Sequence, residues 1–200
     1  MRKASRGQVD AFIVMDMVAE ATQLEAEGHH IIHMEVGQPS SGAPKAATQA
    51  LVAAMEADAL GYTVARGIPA LRQGIADLYK RWYGVDLNPE RVVVTSGSSG
   101  AFLLAFTALF EAGDRVALGE PGYPSYRQIL KALSLEPVGV ASSAENRFQP
   151  VPADLEGVDV QGLIVASPGN PSGTMLSREA LADLIAYADQ KGIAFVSDEI

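Results

Sequence analysis

Residues 162–199 read GLIVASPGNPSGTMLSREALADLIAYADQKGIAFVSDE. An apolar run, GLIVAS, gives way to a loop of proline, glycine and serine. A helical stretch over 177–191 follows, and a second apolar run, IAFVSD, ends on two adjacent acids, Asp198 and Glu199. Short apolar runs bounded by turn residues read as strands, so the unit is strand–helix–strand. Two strands joined in this way lie parallel, with a right-handed crossover.

The same alternation extends back through the chain. Strands are predicted at RVVVTS (91–96), RVALGE (115–120) and EPVGVA (136–141), with helices over 99–112 and 122–133 and a short one near 152–156. This predicts an α/β fold of three layers, a mostly parallel sheet with helices on both faces. Before it, residues 10–27 suit an amphipathic helix ending at Gly28. HHIIHMEV (29–36) reads as a short strand that leads into a loop, and a second helix covers about 44–58. GYTVARGIPALR (61–72) is irregular, and PALRQGIADLYKRWYG (69–84) returns to helix. The chain is divided into an N-terminal arm with part of a smaller domain, 1–45, and an α/β body, 46–200, that is still continuing at Ile200.

Composition narrows the function. A formal net charge of −9, with ten of the 15 basic residues being singly scattered arginines, offers no cationic face for a nucleic-acid backbone. Cysteine is absent, which removes disulfides and thiolate metal sites. No apolar run approaches the ~20 residues that span a bilayer, and MRKASRGQVDAF (1–12) has no secretion-signal core. A cytoplasmic protein is expected.

In an open parallel sheet, ligands bind beyond the carboxyl ends of the strands. Four loops lie there. TSGSSGAF (95–102) reads either as an anion site of free N–H groups and serine hydroxyls at a helix start, or as a capped helix. It lacks the spacing of a dinucleotide fingerprint and the lysine of a P-loop, so a nucleotide-binding domain is disfavoured. In EPGYPSY (120–126), Tyr123 offers a ring face to a planar ligand or packs on the core. In SPGNPSGT (167–174), Asn170 is a fixed amide between two prolines or an ordinary Asx turn. Asp198 is costly at the end of an apolar strand unless a cation or several donors meet it. The histidines His29, His30 and His33 lie in another segment and nothing pairs them with Asp198, so no metal is expected. An anion cradle, an aromatic face, a fixed amide and an acid in need of a cation suit a planar, phosphorylated ligand with a protonated ring nitrogen.

Here the sequence resembles the class I/II aminotransferases, pyridoxal-phosphate enzymes of fold type I. The resemblance is carried in order by IIHMEVGQP (31–39), GYTVARGIPALR (61–72), VTSGSSGAF (94–102), GDRVALGEPGYPSY (113–126), SPGNPSGT (167–174) and VSDEI (196–200). It implies that Ser98 and Ser99 hold the phosphate of pyridoxal 5'-phosphate and that Tyr123 stacks on its ring. It also implies that Asn170 bonds the ring's phenolic oxygen and assists the substrate carboxylate, and that Gly37 lies against that carboxylate. Tyr62 would reach the phosphate of the neighbouring subunit, hence a homodimer, and Asp198 would pair with the protonated ring nitrogen.

Amino acids and 2-oxo acids are the implied substrates. Lyases acting on C–S bonds and ACC-synthase-like enzymes carry the same motifs, and a non-catalytic truncated scaffold is the reading outside enzymes. The lysines present, Lys3, Lys45, Lys80, Lys131 and Lys191, match no Schiff-base motif. That lysine and a carboxylate-binding arginine are expected beyond the end of this chain, and the 200 residues alone are expected to be inactive.

Overall fold

A computed structural model describes residues 2–37 and 40–200. These form two compact units, one of Ile13–Ser96 and one of Gly97–Ile200 with the segment up to Phe12.

The Ile13–Ser96 unit holds α1 (Ile13–Ala26), α2 (Lys45–Ala57) and α3 (Pro69–Tyr83). Proline at the first position of α3 sacrifices only an N–H that no helix carbonyl could use. The helix stops at Gly84, whose φ of 70° lets its N–H return to Lys80 and Tyr79. The buried side of α3 is Arg72 and Ala76. Arg72 is 5% exposed; its guanidinium donates to the carbonyls of Pro89 (2.7 Å) and Val92 (3.0 Å) and pairs with Glu90 at 2.9 Å.

Two predicted strands are not formed. Residues 92–95 join no sheet among the described residues. The Val92 carbonyl serves Arg72, and the Val94 N–H donates to the Arg66 carbonyl at 3.0 Å. Three valines favour a strand, but a ladder also needs a neighbouring strand, and none pairs with them among the described residues. HHIIHMEV likewise stays irregular over its described length. Ile32 and Met34 are exposed, and His33 is held instead by Glu25 and Glu35, at 3.0 and 2.6 Å.

The second unit holds α4 (Gly97–Leu109), β1 (Arg115–Glu120), α5 (Pro124–Ala132), β2 (Glu136–Ala141), β3 (Gly162–Ala166), α6 (Arg178–Lys191) and β4 (Ala194–Asp198). A 3-10 turn at Pro152–Leu155 precedes β3. The strands form one parallel sheet in the order β2-β1-β3-β4, with Leu118 opposite Ile164 and Ala166 opposite Asp198. Side chains alternate across it. Val116, Leu118 and Ile164 meet Phe102, Phe106 and Phe110 around α4 and Tyr126 and Leu130 of α5. Ala117, Leu163 and Val165 meet Leu155 and Leu184 of α6 on the other face. The expected layering is therefore present, and strands covered on both faces explain the unbroken apolar runs. Ser177 caps α6 by accepting the Ala180 N–H at 3.1 Å. α4 is apolar all round: Phe102 and Phe106 are buried, while Leu103 and Leu104 face outward.

Candidate active site at the carboxyl edge of the sheet

In the order β2-β1-β3-β4, the chain winds from β1 to one side and returns to the other, so the switch point lies between β1 and β3. The loops leaving these two strands carry Tyr123 and Asn170, and β4 beside them ends at Asp198.

The partner of Asp198 is Tyr126. Its hydroxyl donates to Asp198 Oδ2 at 2.5 Å, from 72 residues away in the chain. Tyr126 is 4% exposed and lies on the inner side of α5, with its ring edge-on to Phe102 (5.1 Å) and Tyr123 (5.4 Å). Burial, and then the bond to Asp198, push the Tyr126 phenol well above its usual range, so it stays a donor. None of the ion pairs among the described residues involves Asp198. One oxygen of the acid is thus fixed by a neutral phenol.

Ser98 and Ser99 lie in the first turn of α4, exposed, after Gly97 at φ 72°. They precede Phe102 by about one helical turn. The contacts Phe102–Tyr126–Asp198 therefore put the start of α4 at the same edge as the acid. Tyr123 caps the start of α5 and is half-buried, its ring edge-on to Phe12 at 6.2 Å. Its ring thus packs on the core. The turn before it needs glycine at 122, where a Cβ would sit 2.5 Å from the Gly119 carbonyl oxygen.

The Asn170 loop is closed by the Gly169 N–H on the Thr174 carbonyl (2.8 Å) and the Gly173 N–H on that of Gly169 (2.7 Å). Glu120–Pro121, Ser167–Pro168 and Asn170–Pro171 are cis. The Ser167 N–H donates to the Asp198 carbonyl at 3.0 Å, which ties the loop to the end of β4. Asn170 is exposed, and its side chain makes no hydrogen bond among the described residues, so the Asx turn is not formed.

The sequence profile of "Aminotransferase class I and II" matches residues 29–200. A valine–pyruvate aminotransferase of Mycobacterium tuberculosis is 44% identical over the whole chain and 52% of its own length. Among solved structures, an aminotransferase from Mycobacterium tuberculosis is 44% identical, covered over 100% of this chain and 52% of that one, with a TM-score of 0.95. An aspartate aminotransferase from Thermus thermophilus with maleate is 29% identical, with coverages of 100% and 54% and a TM-score of 0.93.

The chain belongs to the class I and II aminotransferases. It spans about half the length of the curated relatives it matches. Of the aminotransferase residues expected from sequence, Ser98, Ser99, Tyr123, Asn170 and Asp198 share the Gly97–Ile200 unit. Gly37 and Tyr62 belong to the other unit. A Cβ on Gly37 would meet nothing within 4 Å, and Tyr62 is fully exposed. The last two residues of IIHMEVGQP, Gln38 and Pro39, lie outside the described residues. No group of three potential ligands for a metal occurs among the described residues, and no helix there is long and apolar enough to cross a membrane. Lys191 closes α6 before β4 begins, at the opposite edge from Asp198.

Two residues beside the candidate site escaped the sequence reading. Tyr126 follows Tyr123 by three places on the amphipathic α5, a spacing that puts both on one face. Gln149 carried no signal at all. It is buried beneath the Asn170 loop, donating to the carbonyls of Ala166 (3.1 Å) and Thr174 (2.9 Å).

Proposed function

We propose that the protein carrying this chain moves an amino group between an amino acid and a 2-oxo acid with pyridoxal 5'-phosphate. The observation that carries the reading is Asp198: a carboxylate at the switch-point edge, anchored through one oxygen by a buried phenol and unmatched by any described cation. The donor set around it fits the cofactor. Ser98 and Ser99 with the α4 N–H groups would hold the phosphate, Tyr123 would lie against the ring, and Asn170 would donate to the ring oxygen and to the substrate carboxylate.

Bound there, the cofactor supplies an electron sink for the bond broken at the substrate Cα. Asp198 keeps the ring nitrogen protonated through a charge-assisted hydrogen bond. Tyr126 holds the acid in place, and the rigid strand end keeps it from turning to water. Gly37 would leave room for the substrate carboxylate. Tyr62 would serve the neighbouring active site of a cytoplasmic homodimer. Residues 1–45 would form an arm with part of a smaller domain and 46–200 the cofactor-binding body. The lysine that anchors the cofactor would lie outside these 200 residues. Valine with pyruvate, the pair in the name of the Mycobacterium tuberculosis relative, is the first substrate pair to assay.

The test is Asp198→Ala in the full-length protein, with oxo-acid product measured. Amino transfer should fall by roughly a hundredfold or more, with the circular-dichroism spectrum unchanged. Undiminished transfer would remove Asp198 from the mechanism. Elimination products in place of an oxo acid would move the enzyme to the lyases.

A further inference from the structure

Besides Tyr126, the polar side chains buried among the described residues are Arg72 and Gln149. Arg72 serves α3; Gln149, 4% exposed, serves the site. It is delivered by Arg147 and Phe148, consecutive left-handed residues at φ 56° and 57°. This conformation is unfavourable for side chains with a Cβ and persists where the surroundings hold it. Here the Phe148 N–H donates to Ser143 (2.8 Å) and the Arg147 N–H to Ala144 (3.0 Å). The Thr174 hydroxyl closes the far side by donating to the Arg147 carbonyl at 2.5 Å.

The Gln149 amide nitrogen reaches both stems of the Asn170 loop. It donates to Ala166, the last residue of β3, and to Thr174, past the turn, with Thr174 Oγ1 at 3.3 Å. The Thr174 carbonyl also takes the Gly169 N–H. A Cβ placed on Gly169 would come within 3.0 Å of the same amide nitrogen, so the residue before Asn170 rests directly on it. A buried amide donating to two carbonyls at once fixes their separation. Neither leucine, which has no donor, nor glutamate, which has only acceptors, can do so.

We infer that Gln149 is a positioning residue for Asn170, setting the direction in which Asn170 presents its amide to the ring oxygen of the cofactor. The inference rests on the cofactor reading above. It makes Gln149 act through Asn170 alone, without touching cofactor or substrate.

The experiment is a pH titration of the visible absorbance of bound pyridoxal phosphate in the full-length holoenzyme. A donor on the ring oxygen favours its ionised form, so Asn170→Ala should raise the midpoint by about one pH unit, a tenfold change in the ionisation constant. Gln149→Leu should raise it in the same direction, and the double variant should match Asn170→Ala alone. A midpoint unmoved by Gln149→Leu, or shifts that add in the double variant, would overturn the inference while leaving Asn170 its role. An unmoved midpoint in Asn170→Ala would overturn both. Should Gln149→Leu not fold, Thr174→Val decides: a smaller shift of the same sign supports the inference, and no shift rejects it.

Discussion

In the Gly97–Ile200 unit, β1 and β3 bury Val116, Ala117, Leu118, Leu163, Ile164 and Val165, whereas α1 and α2 of the Ile13–Ser96 unit bury no residue at all. Leu51, Val52 and Met55 of α2 are each more than half exposed. The site residues expected from sequence divide along the same line. Asp198 and the Asn170 loop are held by hydrogen bonds from within their own unit. Neither Gly37 nor Tyr62 has its orientation set by packing within its unit. On the proposed function, the groups assigned to the cofactor would sit where two apolar layers clamp the backbone. Those assigned to a substrate or a second subunit would sit where packing within their unit fixes little.

The contrast can be broken first at Leu163, which has no exposure. Leu163→Ala should cost about 2–5 kcal/mol in urea unfolding of the full-length protein, against a change within about 0.5 kcal/mol for Met55→Ala. A large loss at Met55 would mean that α2 is covered by a surface outside its unit, and that the difference belongs to the unit rather than the protein. Next in size is Arg72→Met. It leaves the Pro89 and Val92 carbonyls without their donor, at a cost of about 1–3 kcal/mol by the same measurement. Glu90→Gln should cost less, because that acid is 60% exposed. Losses of equal size would show that the ion pair, not the carbonyl contacts, holds residues 89–92 to α3.

The smallest effect belongs to His33. Its bond to Glu35, and then that to Glu25, raise its pKa above 6.5. A raised folded-state value means the contribution is complete below pH 6.5 and fades as pH climbs through the folded pKa. Stability measured from pH 6 to 9 should therefore decline slightly in the wild type relative to His33→Gln. Parallel profiles would show that the two carboxylates do not hold the imidazolium.

The four observed strands and the helices between them were legible because each strand is a short, largely apolar run bounded by turn residues. Of these, β1 and β3 are buried on both faces, while β2 and β4 at the sheet edges are only partly covered. RVVVTS has the same composition and misled for that reason. What it lacks is a neighbour, a non-local fact that no window of sequence contains. The site shows the same limit. Asp198, Tyr123 and Asn170 stood out because a strand-end acid, an aromatic between glycine and proline, and an amide between prolines are each locally odd. Tyr126 did not, since a tyrosine on the inner face of an amphipathic helix reads as core. Gln149 is an ordinary polar residue in a polar loop until the chain on either side of Asn170 folds over it.

The pairing of Ala166 with Asp198 has one more consequence, for how such a chain can change over generations. Alternate residues of a strand face opposite ways, so a slip of one place along β3 would put Ser197 where Asp198 stands and turn the acid to the other face. Lengthened surface turns leave that pairing untouched. One residue gained or lost inside Ala194–Asp198 would retire the acid in a single step, with every amino acid of the site still present.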